Sequence, residues 1–123
     1  MSIQTQIILV GHIDPHVMVR AVRKISGHAA ILRATHKQTY KLLEFVGPSG
    51  PEVIDLFLDS SVAEDYAEVV EEPSTFASIQ FSPFASDVLL NLTQQFGGYF
   101  RRTDMEPWRH FAPVNTPAMA KDR

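Results

Sequence analysis

Apolar and polar residues alternate over residues 76–81, and apolar residues then recur at three- and four-residue intervals up to Phe96. The first pattern is typical of a β-strand and the second of an amphipathic helix. Ser82-Pro83 stands at the junction, where serine can accept from free backbone N–H groups and proline needs no N–H bond. Gly97-Gly98 ends the helix before a second strand at Tyr99-Phe100.

A stretch near the N-terminus has the same order of signals. Residues 3–13 are apolar and β-branched, Asp14-Pro15 starts a helix with an apolar stripe, and Gly27 closes it before a predicted strand at 29–37. A duplicated strand–helix–strand unit is typical of the ferredoxin-like fold. We therefore predict a single α+β domain with a mostly antiparallel sheet and two or three helices, with a duplicated ferredoxin-like β-α-β arrangement as one candidate.

Between these two units the chain predicts a meander of strands. Residues 40–46 are predicted to pair back on 29–37 through a tight turn at Gln38-Thr39, and Gly47 to Pro51 is a strong turn signal. Residues 52–59 alternate as a strand does. A helix beginning at Pro51 is the alternative for this stretch.

The remaining segments complete one domain. Residues 62–71 predict a short helix, and residues 108–111 predict an edge strand whose Trp108 could close the core or stack on a partner. A chain of 123 residues is long enough for one core but not for two. We predict a domain over 1–114 and a flexible C-terminal tail over 115–123.

The composition favours a cytoplasmic protein. The chain has no cysteine, so it has neither a disulfide framework nor a thiol nucleophile. No apolar run reaches the length of a membrane span, and the N-terminus does not have the basic-then-apolar order of a signal peptide. We expect no membrane association and no cofactor.

Charge is distributed unevenly along the chain. Residues 1–41 carry six basic residues and one acidic residue, 42–100 carry ten acidic residues and no lysine or arginine, and 101–123 carry five basic and three acidic residues. In one interpretation, opposite charges pair across the folded domain and keep it soluble. In the other, the acidic block is a face that attracts a basic protein partner. Nucleic acid is not expected as a partner, because phosphate binding needs a concentrated basic surface.

The acidic block contains the residues that we predict to bind a partner. They are five carboxylates and one aromatic residue: Asp55, Phe57, Asp59, Glu64, Asp65 and Glu68. On a strand, Phe57 shares a face with Asp55 and Asp59, and an aromatic ring among acids is a reasonable protein-binding hot spot. The same ring could instead pack under the helix that follows.

Catalytic and metal chemistry have one candidate site. His12, Asp14 and His16 lie near the end of the first strand, but the helix start at Pro15 prevents the two histidines from sharing a helical face. The alternative is a pair of partly exposed histidines near a helix start. No second ligand cluster has metal-site spacing, so we expect no metal and no catalytic residues. A small ferredoxin-like enzyme with this His/Asp site, or a structural or regulatory module that forms a homodimer through its sheet, remains the alternative to a binding protein.

Two segments carry a resemblance to a known class of proteins. They are the acidic stretch Leu56 to Tyr66 and the late amphipathic helix in Leu89 to Phe100, which ends in Phe-Gly-Gly and is followed by a strand. This layout resembles the small bacterial immunity proteins of polymorphic toxin systems. The resemblance implies a non-enzymatic inhibitor that binds one toxin domain and blocks its active site. It assigns no functional residues, because such families vary at their binding surfaces.

Overall fold

The computed structural model describes residues 3–11, 13–35, 40–58 and 74–113. These contain seven strands and two helices: β1 (Gln4–Val10), α1 (Pro15–Ser26), β2 (Ala30–Ala34), β3 (Tyr40–Gly47), β4 (Gly50–Phe57), β5 (Ser74–Gln80), α2 (Pro83–Phe96), β6 (Gly98–Arg101) and β7 (Arg109–Phe111). The strand predicted over 52–59 is confirmed in its described part, and the helix alternative is wrong. The predicted helix at 62–71, the turn at Gln38-Thr39 and the tail at 115–123 lie outside the described residues.

All seven strands form one antiparallel sheet in the order β2-β3-β4-β5-β1-β6-β7. Because every neighbouring pair is antiparallel, β1 and β2 run parallel with three strands between them, whereas β5 and β6 run parallel with only β1 between them. The predicted α+β class, with an antiparallel sheet and two helices, is confirmed. The ferredoxin-like arrangement is not confirmed, because a duplicated unit would separate both parallel pairs by a single strand.

Both helices begin at the residues that the sequence predicts. Asp14 Oδ1 accepts a hydrogen bond from the backbone N–H of His16 at 2.8 Å, and Ser82 Oγ accepts one from the N–H of Ala85 at 3.1 Å. A proline follows each cap at the start of the helix, where its missing N–H leaves no hydrogen bond unmade. Neither of these two helices, in the part of the chain described, has the length and apolar character needed to cross a bilayer.

The two helices pack on the same face of the sheet and form the main core with it. The strands contribute the side chains that alternate toward the helices, and most of these are fully buried: Ile7, Leu9, Leu43, Phe45, Ile54, Leu56, Ala77, Ile79 and Phe100. Removing this apolar surface from water is the main stabilising contribution to the fold. We call the opposite face of the sheet, which neither helix covers, the open face.

Candidate functional site

On the open face, the strand register aligns aromatic side chains in one row across the sheet. This aromatic row consists of Tyr40, Phe57, Phe76, Tyr99 and His110, on β3, β4, β5, β6 and β7, with the aliphatic Ile8 of β1 between Phe76 and Tyr99. Ring centroids are 4.8 Å apart for Tyr40 and Phe57, and 5.8 Å apart for Phe57 and Phe76. At the other end, Tyr99 and His110 lie 4.9 Å apart. Cross-strand ring pairs of this kind stabilise a sheet and also provide flat contact surfaces.

The centre of the aromatic row forms a small second core. Ile8 is fully buried and Phe76 is 5% exposed, with the half-buried rings of Phe57, Tyr99 and Trp108 packed against them. Trp108 therefore packs on the open face rather than in the main core. The two ends of the row remain more accessible than its centre, because Tyr40 is half-buried and His110 is exposed.

A polar row lies beside the aromatic row on the same face. Its polar members are Arg33, Asp55, Ser78, Gln6 and Arg101, with the apolar Leu42 between Arg33 and Asp55. Arg101 donates from Nε to Gln6 Oε1 at 2.8 Å, and its guanidinium lies 4.3 Å from the ring centroid of Trp108. Arg33 forms an ion pair with Glu44 at 2.5 Å. Asp55 has no cationic partner among the residues described.

Tyr40 and Asp55 link the two rows. The Tyr40 phenol donates a hydrogen bond to Asp55 Oδ1. This hydrogen bond, together with partial burial and the negative charge of Asp55, raises the pKa of Tyr40 to about 12. At neutral pH the phenol is therefore protonated and orients the carboxylate. Asp55 Oδ2 makes no hydrogen bond to any described residue.

The Tyr40–Asp55 hydrogen bond predicts a specific loss of stability at alkaline pH. The pKa of Tyr40 rises from 10.0 to about 12 on folding, so its stabilisation is complete below pH 10 and is lost as pH rises toward about 12. Tyr40→Phe cannot ionise at this position. The wild type should therefore exceed Tyr40→Phe in free energy of unfolding by an amount that shrinks over this interval. Urea denaturation at stepped pH measures it, and a constant difference would contradict the assigned hydrogen bond.

Exposed apolar side chains concentrate on the open face. Within the described ranges, six large apolar side chains are exposed, and four of them lie on this face: Val10, Ile31, Val46 and Val53. The exposed fractions of these four run from 40% to 54%. Ile31 and Val53 both lie opposite Glu44, on the strands that flank β3. Ile31, Val46 and Val53 lie together on β2, β3 and β4, whereas Val10 lies apart from them on β1. A group of exposed apolar side chains like the first three is typical of an interaction surface.

The structure places two of the six predicted partner-binding residues on the open face. Asp55 and Phe57 lie there as the alternation of β4 predicts, on the face opposite the main core. Asp59, Glu64, Asp65 and Glu68 lie outside the described residues.

Tyr40 was not among the predicted site residues, although it contacts both Asp55 and Phe57. The signal that could have identified it is the turn between β3 and β4. Gly47 pairs with Gly50 there, and counting outward from this turn places Tyr40 opposite Phe57.

The charge pattern serves the fold as well as the open face. The two ion pairs within the described ranges join Arg33 to Glu44 at 2.5 Å and Arg102 to Asp87 at 3.6 Å. Each therefore connects a basic segment near one end of the chain with the acidic block. This agrees with the interpretation that opposite charges pair across the domain, and it leaves Asp55 as a carboxylate that no described cation neutralises.

The alternative site at the first strand–helix junction is only partly described. The Asp14 carboxylate caps α1, and His16 is exposed in the first turn. His12 lies outside the described residues. No group of three or more histidine, aspartate or glutamate side chains that could hold a metal occurs in the described part of the chain.

A cleft of about 340 Å³ lies at one end of the sheet, between Val10, the end of α2 and residues 110–113. Its lining is mainly apolar, and His110 supplies a polar side chain. Ligand sites for small molecules generally combine an apolar lining with several convergent polar groups. The open face, where an oriented carboxylate lies beside aromatic rings, is the better candidate.

The function of the open face has to be inferred from the residues that form it. The pattern of that face is a carboxylate held by a phenol, two stacked rings and a set of exposed aliphatic side chains. No protein family model matches the chain, and no curated protein matches it either.

Proposed function

We propose that this protein is a non-enzymatic binding module that engages a protein partner through the open face, and that the partner is a toxin domain that it neutralises. One observation carries the proposal: four of the six exposed large apolar side chains in the described residues share this face with Asp55. Protein interfaces typically combine an apolar centre with a few oriented polar groups. The open face has this composition.

The chemistry of Tyr40 and Asp55 favours recognition over proton transfer. A general acid or base works best when its pKa lies near the operating pH. The pKa of Tyr40 is raised to about 12, so the phenol acts as a fixed hydrogen-bond donor at neutral pH. Its effect is to hold one oxygen of Asp55 in place and present the other to a partner.

The toxin-neutralising part of the proposal is supported by the sequence. The layout of the chain resembles that of immunity proteins, and residues 42–100 carry ten acidic residues without a lysine or arginine. A surface of one sign accelerates association with a basic partner and orients it. A cysteine-free chain suits the reducing cytoplasm of a bacterium, where we place this activity.

A pull-down from native host extract tests the proposal. The baits are the wild type, Asp55→Lys and Asp87→Lys. The last is the matched control, because Asp87 is 63% exposed on α2, on the other side of the sheet. We expect the wild type and Asp87→Lys to capture a stoichiometric partner that is toxic when expressed alone. Asp55→Lys should bind about tenfold more weakly or worse, which corresponds to about 1.4 kcal/mol.

Two results would count against this proposal. Wild-type affinity in a folded Asp55→Lys protein, checked by circular dichroism, would exclude the open face as the binding surface. A partner that binds through Asp55 but has no toxicity would retain the binding module and exclude the neutralising role.

A homodimer through the open face is the second candidate, because the exposed apolar residues there could be buried against a second copy. An isologous dimer would place the same exposed side chains of both copies in contact. Sedimentation of the purified protein distinguishes the two. A dimer that Val53→Asp converts to a monomer would favour the dimeric module, whereas a wild-type monomer would exclude it.

A further inference from the structure

We infer that the cluster of Tyr40, Asp55 and Phe57 receives an arginine side chain from the protein partner. This inference rests on the proposed function and adds the chemical identity of the group recognised. Three features of the open face support it: the geometry of the carboxylate, the two stacked rings and an arginine already bound on the same face.

The carboxylate of Asp55 is oriented and incompletely paired. Oδ1 accepts from the Tyr40 phenol, and Oδ2 makes no hydrogen bond to a described residue. Its neighbours across the strands are half-buried Leu42 and buried Ser78, so the side chain stands in a partly dehydrated setting. Partial dehydration strengthens a charge-assisted hydrogen bond to an incoming cation. A cationic N–H group would complete the pairing of Oδ2.

The rings beside the carboxylate favour a planar cation. Tyr40 and Phe57 stack with an interplanar angle of 24°, and both are half-buried, so each keeps an accessible part. A guanidinium can lie against an aromatic face while its N–H groups reach a neighbouring oxygen. An ammonium group is a compact and strongly hydrated point charge, and it gains less from such a surface. The cluster should therefore prefer arginine to lysine.

The same face already contains an arginine held in this way. Arg101 lies 4.3 Å from the centroid of Trp108 and donates to the side-chain oxygen of Gln6 at 2.8 Å. An aromatic ring and an oxygen acceptor in the polar row thus bind a guanidinium within the molecule. Tyr40, Phe57 and Asp55 repeat this combination on β3 and β4, with a charged acceptor and no described cation.

The surroundings of the cluster also suit the stem of an arginine. Val53 lies two positions before Asp55 on the same face of β4 and is 40% exposed. The methylene groups of an arginine side chain can pack on such aliphatic surface while its charged head reaches the carboxylate. The nearest described cation in the polar row, Arg33, is already paired with Glu44.

Nuclear magnetic resonance titration with two blocked tripeptides, Gly-Arg-Gly and Gly-Lys-Gly, tests the inference. The proteins are the wild type, Asp55→Asn and Asp87→Asn. Asp55→Asn keeps an oxygen that accepts from Tyr40 but removes the charge, and Asp87→Asn removes an exposed carboxylate on the other side of the sheet as the matched control. We expect the arginine peptide to shift the amide resonances of residues 55 and 57 saturably. Its affinity should fall about tenfold in Asp55→Asn and stay unchanged in Asp87→Asn.

The lysine peptide tests whether the cluster prefers arginine to lysine. The pull-down described above tests the proposed function separately from this inference. Equal affinity for both peptides, or no shift at residues 55 and 57 with either, would overturn the arginine inference. If Asp55→Lys still loses the toxic partner in that case, the proposed function stands without it. If the resonances of residues 55 and 57 move with protein concentration before any peptide is added, the protein binds a second copy of itself through this cluster. That result would also overturn the inference that the arginine comes from a different protein.

Discussion

Replacing Gly98 with alanine is expected to destabilise the protein by about 3 kcal/mol or more. Gly98 has φ of 147°, and a Cβ atom there would lie 2.1 Å from the carbonyl oxygen of Ile8 and 3.0 Å from the Cα of Leu9. Both are backbone atoms of β1, which lies between β5 and β6. The clash could be relieved only by moving β6 away from β1. Urea denaturation of the two proteins measures the loss.

Gly27→Ala is the matched control for this prediction. Gly27 ends α1 with φ of 75°, and nothing lies within 4 Å of the position that its Cβ would take. Only the left-handed backbone strain then remains, which is about 1–2 kcal/mol for a residue with a side chain. Similar losses in the two variants would show that backbone strain alone, and not the close approach to Ile8, governs Gly98.

Phe100→Ala is expected to have the second large effect, about 3–5 kcal/mol. Phe100 projects from β6 toward the helices, is fully buried, and meets the ring of Phe111 edge-on at 6.3 Å. Truncation removes its buried apolar surface and leaves a cavity that the packed surroundings fill only in part. Thermal and urea unfolding would both report the change.

The neighbouring Tyr99→Ala provides the comparison between the two faces of the sheet. Tyr99 lies on the open face, is half-buried and packs against the small cluster around Ile8. Less apolar surface is lost there, so we expect a smaller effect, about 1–2 kcal/mol. A Tyr99→Ala loss equal to that of Phe100→Ala would mean that the open face contributes to stability as much as the helix-covered face does.

The elements that could be predicted are those whose signals lie close together in the sequence. The caps at Asp14 and Ser82 need only the following residues of the same helix, and both are confirmed. The alternation that turns Ala77 and Ile79 toward the core while Phe76 and Ser78 face the other way is likewise a property of β5 alone.

The sheet order and most of the site depend on distant residues, and local patterns do not determine these. Two similar strand–helix–strand units suggested a ferredoxin-like duplication, but nothing near α1 specifies that β2 pairs at the far edge of the sheet. The contact between Tyr40 and Asp55 likewise depends on the register of β3 and β4. Asp55 and Phe57 could be predicted as site residues from the acidic block and from the alternation along one strand. The residues that lie next to them on neighbouring strands could not be predicted in this way.

The position of β1 in the sheet also bears on how the chain folds as it leaves the ribosome. The strands β2, β3 and β4 are consecutive in the sequence and adjacent in the sheet, so this meander can pair as soon as it is synthesised. β1 is made first, yet its partners come last: Gln6 pairs with Ser78 and with Arg101. The long chain segments between β1 and its partners must close into loops before β1 can pair, and such non-local pairing slows folding. The nascent chain therefore carries β1 unpaired until β5 has emerged, and one edge of β1 stays unpaired until β6 follows. A molecule truncated before Gly98 would lack that second partner of β1.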